Sequence, residues 1–188
     1  MVALAEALSS GSIPNAEIAI IVSDKSSAGG LQLAHDRGLK TAVVERRGLT
    51  REEHEREIIS VLQSHEVDLV CLAGYMRVLS PCFIDEFGGK VLNIHPSLLP
   101  AFPGLDAQRQ ALAHGVKISG CTVHFADNTL DGGPIIAQRS VPVLDDDTEE
   151  TLSGRILEQE HKLYAEALRL VVEGNYEIAG RRVIRCRR

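Results

Sequence analysis

Two patterns of hydrophobic and polar positions alternate along the N-terminal half of the chain. Short, nearly continuous apolar runs are typical of strands buried on both faces. They occupy residues 16–24, 41–44, 68–76 and 90–96. Segments with apolar residues at helical spacing occupy residues 1–10, 28–38, 49–67 and 80–89. Alternating strands and helices of these lengths predict βαβ units and a parallel sheet.

The pattern changes after residue 115. Residues 119–127, 134–143 and 176–185 have the alternation of more exposed, antiparallel strands, and a long helix is predicted over 148–173. No repeat or linker interrupts the chain. The sequence therefore predicts one α/β domain over residues 1–188, with a Rossmann-like, mainly parallel twisted sheet flanked by helices and antiparallel strands near the C-terminus.

Composition limits the classes of protein to which the chain can belong, but it does not indicate a function. The chain has 188 residues, 44% hydrophobic and 24% charged, with a net charge of -6, which disfavours a nucleic-acid surface. No apolar run is long enough to span a membrane, and the first residues lack the basic start of a secretory signal, so the expected compartment is the cytoplasm. The four cysteines form no C-x-x-C pair, and Cys71 and Cys121 are expected to be small buried residues.

Asn93 and His95 come at the end of the predicted strand 90–96, directly before a loop stiffened by three prolines. Residues two apart on a strand point to the same face, and ligands bind beyond the carboxyl ends of strands in open α/β sheets. An amide and an imidazole in this position are suited to stabilise an oxyanion. The alternative is a capping asparagine and a buried, satisfied histidine.

The segment NTLDGGPII places Asp131 before Gly132 and Gly133, which suggests a tight turn with positive φ at the glycines. From this fragment alone, a plain turn aspartate explains Asp131 better than a catalytic role does. His124 lies on a predicted strand. It could take part in the chemistry directly, or it could have a core or supporting role. His95, His124 and Asp131 could be drawn as metal ligands, but their spacing matches no metal motif.

Two further charged residues stand out by position. Glu160 falls on the apolar stripe of the long helix, where a carboxylate is costly unless it is paired or used. It is expected to bind substrate hydroxyls or to form a buried salt bridge. Arg77 follows the end of the strand 68–76 and is expected to clamp a carboxylate or stack on a ring, with a surface salt bridge as the alternative.

Taken together, four motifs resemble the folate-dependent formyltransferases. They are AGYMRVLS at 73–80, NIHPSLLP at 93–100, SGCTVHF at 119–125 and LDGGPII at 130–136. The sequence SDK at 23–25, Arg51 and QEH at 159–161 narrow the resemblance to the phosphoribosylglycinamide formyltransferase branch. The resemblance implies formyl transfer from the co-substrate 10-formyltetrahydrofolate to the amino group of glycinamide ribonucleotide in purine biosynthesis, without a metal.

The resemblance also implies roles for individual residues. Asn93, His95 and Asp131 match the catalytic residues, and His124 matches a supporting histidine. The residues that match those lining the family's folate pocket are Asn93, Met76, Arg77, Val78 and Leu79. Glu160 matches a carboxylate that binds ribose hydroxyls, and Arg51 a residue near the nucleotide. The implied partners are these small molecules, with no nucleic acid and no membrane, and the sequence does not indicate an oligomeric state.

One departure from the family pattern concerns the N-terminus. The family begins with a strand and a Gly/Ser/Asn phosphate loop, and this chain is expected to lack both, since Ser9–Ser12 precede a strand instead of following one. Three alternatives therefore stand beside the main interpretation. They are a non-catalytic or weakly active folate-binding remnant, a methionyl-tRNA formyltransferase and a 10-formyltetrahydrofolate hydrolase. The last two are expected to carry additional domains.

Overall fold

The computed structural model describes residues 1–75 and 77–186. Eight strands are described there. They are β1 (Ile21–Ser23), β2 (Thr41–Val43), β3 (Val70–Cys71), β4 (Val91–His95), β5 (Ile118–Phe125), β6 (Ile135–Pro142), β7 (Tyr176–Ala179) and β8 (Arg182–Arg185). The helices are α1 (Val2–Ser9), α2 (Gly29–His35), α3 (Arg51–Ser64), α4 (Pro81–Glu86), α5 (Ala107–Ala113) and α6 (Glu149–Glu173).

The strands form two separate sheets. A six-stranded sheet has the order β3-β4-β5-β6-β8-β7, and β1 and β2 form a parallel pair of their own. In the larger sheet β3 and β4 run parallel, whereas β4, β5 and β6 are antiparallel neighbours. The predicted α/β class with antiparallel C-terminal strands is confirmed. The division into two sheets leaves β1 and β3 each with one pairing neighbour.

Local sequence signals place the starts of three helices close to where they were expected, whereas α3 and α4 end three residues before the predicted ends. Thr50 caps α3 in a capping box with Glu53, and Thr148 caps α6 by accepting a hydrogen bond from the backbone of Thr151. Ser80 caps α4, with Pro81 as its first residue. The buried Glu55 carboxylate accepts the backbone N–H of Ser80 at 3.0 Å, which fixes α4 against α3.

The core has two parts, one on each face of the sheets. The α6 stripe predicted from the sequence is buried, with Leu152 and Ile156 fully inaccessible, and it packs with α1 against β4, β5 and β6. A smaller cluster joins α3 and α4 to Val91 of β4 on the other face. Because side chains alternate along β4, Leu92 packs on the α6 side, and Asn93 and His95 share the face of Val91.

Tyr164 of α6 ties the long helix to the residue after β3 and to β4. Its buried hydroxyl lies 2.9 Å from the carbonyl oxygen of Leu72 and 3.0 Å from that of Leu92. Burial raises the pKa of this hydroxyl well above its usual value, so it remains a proton donor at any physiological pH. The contact fixes the backbone directly before Asn93.

Three features differ from the sequence predictions. The strands expected over 16–24 and 68–76 are limited to β1 and β3, because each has only one neighbour with which to pair. The single strand expected over 176–185 is a hairpin, in which Gly180 takes the positive φ of 61° that the turn requires. The helix α5 was not predicted, and its small residues Ala107 and Ala111 pack into the core.

The cysteines differ in how far they are buried. All four cysteines are free, with Cys121 buried and Cys71 half-buried. Burial raises the pKa of both of these thiols to about 12, so they stay protonated at neutral pH. Among the described residues, no helix combines the length and the apolar character that a membrane crossing needs.

Candidate active site

The carboxyl end of β4 brings Asn93 and His95 against strand β5. In the antiparallel register, Asn93 lies opposite His124, and His95 lies opposite Thr122. Directly opposed residues project to the same face of a sheet, so these four side chains share one face. His95 is 5% and His124 is 2% exposed, which shields their hydrogen bonds from water.

His124 is held as a neutral imidazole that orients Asn93. Its Nδ1 lies 2.9 Å from the carbonyl oxygen of Phe125, to which it donates, and this leaves Nε2 as an acceptor. The Asn93 Nδ2 lies 3.3 Å from that Nε2 and donates to it. Burial lowers the pKa of His124, which agrees with the neutral form. Among the described residues, the other N–H of the Asn93 amide has no partner and can donate to a substrate.

Asp131 joins the cluster from the loop between β5 and β6. Its Oδ2 accepts the backbone N–H of Gly104 at 2.8 Å and lies 3.4 Å from Nδ1 of His95. Its Oδ1 lies 3.8 Å from Nε2 of His124. One carboxylate therefore contacts both histidines and the proline-rich loop, which a plain turn residue would not do.

The turn around Asp131 depends on close packing at its glycines. Asp131 itself has the positive φ, 49°, and neither glycine does, so the expected positive φ at Gly132 and Gly133 was wrong. A side-chain carbon at Gly133 would lie 1.9 Å from the carbonyl oxygen of Phe125, and one at Gly132 would lie 2.1 Å from the hydroxyl of Thr129. The glycines are needed because the backbone passes close to these atoms.

His95 lies between two oxygen acceptors. Its Nε2 is 2.8 Å from the carbonyl oxygen of Phe102, and its Nδ1 faces the Asp131 carboxylate. A ring protonated on both nitrogens satisfies both contacts at once. The arrangement can therefore hold a positive charge beside Asn93 and can pass a proton between the imidazole and the carboxylate.

Two polar residues that the sequence analysis did not single out hold the loop 96–104 in place. The hydroxyl of Thr122 donates to the carbonyl oxygen of Ser97 at 2.7 Å and accepts the N–H of Leu99 at 3.0 Å. The Gln138 amide donates to the carbonyl oxygen of Leu99 at 2.8 Å and to the Thr122 hydroxyl at 3.0 Å. The only sequence signal for Thr122 is its position two residues before His124 on the same strand.

We expect Thr122→Val to destabilise the protein by about 1–3 kcal/mol and to reduce turnover, because the isosteric valine leaves the backbone of Ser97 and Leu99 without partners. Denaturant unfolding measures the loss. Ser119→Ala is the matched control, since Ser119 is also buried on β5 and its hydroxyl has no partner among the described residues. Equal effects of the two substitutions would contradict the role of Thr122 as an anchor of the loop.

Glu160 lies half-buried on the apolar stripe of α6, as predicted. Burial raises the pKa of its carboxyl, and within the described residues no hydrogen bond or ion pair reaches it. The buried salt bridge that was its alternative is therefore not formed by the part of the chain that the structure covers. The neighbouring Gln159 does accept a hydrogen bond, from Arg139 at 3.4 Å.

The raised pKa of Glu160 predicts a pH-dependent stability. The folded state keeps the proton that the unfolded chain loses near pH 4.5, so stability falls as the pH rises from there through the folded pKa. We expect Glu160→Gln to raise the melting temperature at pH 8 and to have little effect at pH 4. Glu158→Gln, on the exposed side of α6, is the control. A melting temperature equally unchanged at both pH values would refute this prediction.

The remaining predicted residues lie around the ends of β3 and α3. Arg77 is half-buried and Val78 is 37% exposed, whereas Leu79 is buried in the cluster between α3 and α4, so its side chain supports the segment from within. Met76 lies outside the described residues. Arg51 is exposed at the start of α3, and its positive charge acts on the Tyr75 hydroxyl, where it opposes the rise in pKa that burial causes.

A metal site is not formed by the candidate residues. No group of three histidine, cysteine or carboxylate side chains with metal-binding geometry occurs in residues 1–75 and 77–186. The contacts of His95, His124 and Asp131 are instead hydrogen bonds and charge contacts within the cluster and with the backbone.

Comparison with known proteins shows the family to which the chain belongs. Residues 1–168 match the family model described as formyl transferase. The chain is 45% identical over 165 residues to the human trifunctional purine biosynthetic protein adenosine-3. This alignment covers 87% of the chain but only 16% of the much longer human protein. It is 40% identical over 159 residues to phosphoribosylglycinamide formyltransferase of Escherichia coli, covering 84% of the chain and 75% of the relative.

A solved structure agrees with these sequences. The crystal structure of glycinamide ribonucleotide transformylase 1 from Symbiobacterium toebii superposes with a TM-score of 0.96 and 47% identity. The match covers 98% of this chain and 87% of that one. The likeness therefore extends through the candidate site and the strands that carry it.

Proposed function

Because the chain belongs to the formyl transferase family, we propose that it transfers the formyl group of 10-formyltetrahydrofolate to the amino group of glycinamide ribonucleotide, a step of purine biosynthesis. The observation that carries this proposal is the cluster of Asn93, His95, His124 and Asp131, which one carboxylate and one amide link together. Such a cluster is suited to acyl transfer, which needs donors for an oxyanion and a path for a proton.

In the proposed reaction, the amine nitrogen of the nucleotide attacks the formyl carbon, and the carbonyl oxygen becomes an oxyanion. The free N–H of Asn93 donates to this oxygen, and the protonated ring of His95 stabilises its charge. The tetrahedral intermediate collapses as the bond from carbon to N10 of the folate breaks. The products are the N-formylated nucleotide and tetrahydrofolate.

Proton balance gives Asp131 and His95 their proposed roles. One proton leaves the attacking nitrogen and one arrives at N10 of the leaving folate. The carboxylate of Asp131, 3.4 Å from Nδ1 of His95, keeps the imidazolium oriented and exchanges protons with it. His124, neutral and buried, acts by holding the amide of Asn93 in the orientation that presents its N–H.

Substrate binding is assigned to residues around this cluster. Arg77 and Val78, in the segment between β3 and α4, are proposed to line the folate pocket with Met76 and Asn93, with Leu79 supporting them from the core. Glu160 is proposed to accept hydrogen bonds from ribose hydroxyls, which would explain a carboxylate kept half-buried and unpaired by the described residues. Arg51 is proposed to attract the nucleotide by its charge.

The proposal is tested by mixing the protein with both substrates and following the nucleotide by mass spectrometry. We expect the nucleotide to gain one formyl group only when 10-formyltetrahydrofolate is present. A second arm omits the nucleotide and measures formate. Rapid formate release in that arm would indicate a hydrolase instead, and folate binding without either product would indicate a non-catalytic protein.

A further inference from the structure

Glu55 is a buried carboxylate that lies outside the proposed catalytic cluster. It is 1% exposed, although it belongs to a helix whose other glutamates are exposed. Its two oxygens accept one and the same backbone N–H, that of Ser80, at 3.2 and 3.0 Å. Among the described residues no cation pairs with it. Because a buried carboxylate is costly, the bond to Ser80 is the contact that accounts for its place in the fold.

This bond completes the start of α4 from outside that helix. In α3, the third helical residue is Glu53, whose carboxylate accepts the N–H of the capping Thr50 at 2.8 Å. The third residue of α4 is Phe83, which has no acceptor and is buried in the core. The cap of α4, Ser80, accepts the N–H of Phe83 at 3.3 Å. Glu55 therefore supplies, from α3, the half of a capping box that α4 lacks.

Ser80 directly follows the residues that are proposed to line the folate pocket. The residues described between β3 and α4 belong to neither a helix nor a strand, so no regular hydrogen bonding fixes them. Leu79 is buried, and the backbone of Ser80 is bonded to Glu55. These two contacts set the point at which Arg77 and Val78 leave the core. A shift of the backbone at Ser80 would therefore move both of these side chains.

The first turns of α3 act on residues at both ends of this segment. Arg51 and Glu55 are four residues apart, so they lie on the same face of the helix. Burial raises the pKa of the Tyr75 hydroxyl to about 12, with the charge of Glu55 adding to the rise and that of Arg51 opposing it. Glu55 is thus close enough to act on Tyr75, before the proposed folate residues, and it binds Ser80 after them.

We propose that Glu55 is a positioning residue for the folate. It holds the backbone at Ser80 and thereby keeps Arg77 and Val78 in the arrangement that the bound folate requires. The inference rests on the proposed function, which assigns Arg77 and Val78 to the folate pocket. Among the described residues, no hydrogen bond joins Glu55 to the catalytic cluster, so it contributes to binding of the folate and not to the chemical step.

Two substitutions at this position separate the acceptor from the space that it fills. Glu55→Met keeps the length of the side chain and leaves only a weak acceptor, whereas Glu55→Gln keeps one oxygen that can accept the N–H of Ser80. We expect Glu55→Met to raise the Kd for 10-formyltetrahydrofolate at least about tenfold, and Glu55→Gln to raise it less than about threefold. The kcat at saturating folate and the KM for the nucleotide should change less than about twofold in both variants. Calorimetric titration with the folate alone and steady-state kinetics measure these quantities.

Ile59→Val is the control for a general loss of stability. Ile59 is buried on α3 in the same core cluster as α4, and its apolar side chain makes no hydrogen bond to Ser80. We expect this variant to lose some stability and to keep its folate Kd within about twofold. In Glu55→Met, amide exchange at Arg77 and Val78 should be at least about tenfold faster, with exchange in the centre of α6 unchanged.

The titration omits the nucleotide and the exchange measurement uses no substrate, so neither depends on formyl transfer. A protein that binds folate but forms no product would refute the proposed reaction, and the titration would still decide the role of Glu55. Three results would each overturn that role. They are equal losses of folate affinity in Glu55→Met and Ile59→Val, a fall in kcat with an unchanged Kd, and weaker folate binding without faster exchange at Arg77 and Val78.

Discussion

Replacing Asp131 by asparagine is expected to reduce kcat on the order of 10³-fold while leaving the protein folded. The asparagine can still accept the N–H of Gly104, which Asp131 now accepts at 2.8 Å, so the loop keeps its anchor. It cannot hold a proton or balance the charge of the His95 ring, whose Nδ1 lies 3.4 Å from the carboxylate. Steady-state kinetics with both substrates, together with the melting temperature, measures the two effects separately.

Asp127→Asn is the matched control for this experiment. Asp127 lies in the same loop and accepts a hydrogen bond from the N–H of Thr129 at 2.8 Å, and it contacts neither His95 nor Gly104. The Thr129 hydroxyl donates to the same Asp127 oxygen, and we expect kcat of Asp127→Asn to change less than about threefold, in line with the small effect of exposed hydrogen bonds. Near-normal turnover in Asp131→Asn would return Asp131 to the role of a turn residue.

His95→Ala and Asn93→Ala are each expected to lower kcat about 10²-fold or more, with little change in the KM for the folate. Interactions that form only in the transition state affect kcat, whereas groups that bind the ground state affect KM. His95→Ala also removes the partner of the Phe102 carbonyl, so some stability should be lost as well. Unfolding measurements on the same variant distinguish the loss of stability from the loss of kcat.

A remote histidine provides the comparison for these variants. His35 lies on α2 with its side chain 83% exposed, and His35→Ala should leave both kcat and the unfolding curve unchanged. For His95→Ala, added imidazole should restore part of the turnover if the lost group is an acid, a base or a donor. A defect confined to KM, in either substitution at the β4 end, would contradict the oxyanion role.

The positions of the Asn93 and His95 side chains are fixed by the hydrogen bonds of the backbone and side chains around them. Asn93 follows Leu92, whose carbonyl is held by the Tyr164 hydroxyl, and its amide is oriented by a buried neutral histidine. His95 is followed by a loop whose backbone Thr122 and Gln138 hold through three hydrogen bonds, and a fourth joins these two side chains to each other. A site on a paired strand with supported neighbours can keep its donors fixed while substrates enter and leave.

The sequence by itself determined what depends on near neighbours. Thr50 with Glu53, Ser80 before Pro81, and Thr148 cap helices through contacts within four residues, and the α6 stripe follows from helical spacing. The place of Asn93 and His95 at a strand end followed from the same local pattern. The motifs were sufficient to indicate the family, because a motif is defined by which residues occur in sequence and not by their contacts in the fold.

Only the tertiary structure decided which distant residues meet. Asp131 reaches His95, and His124 reaches Asn93, through antiparallel pairing of β4 and β5 and through a turn whose glycines allow close backbone contact. Thr122 and Gln138 gained their roles the same way. The lengths of β1 and β3 were also undetermined by their apolar runs, since a strand extends only as far as a neighbour supplies hydrogen-bond partners for its backbone.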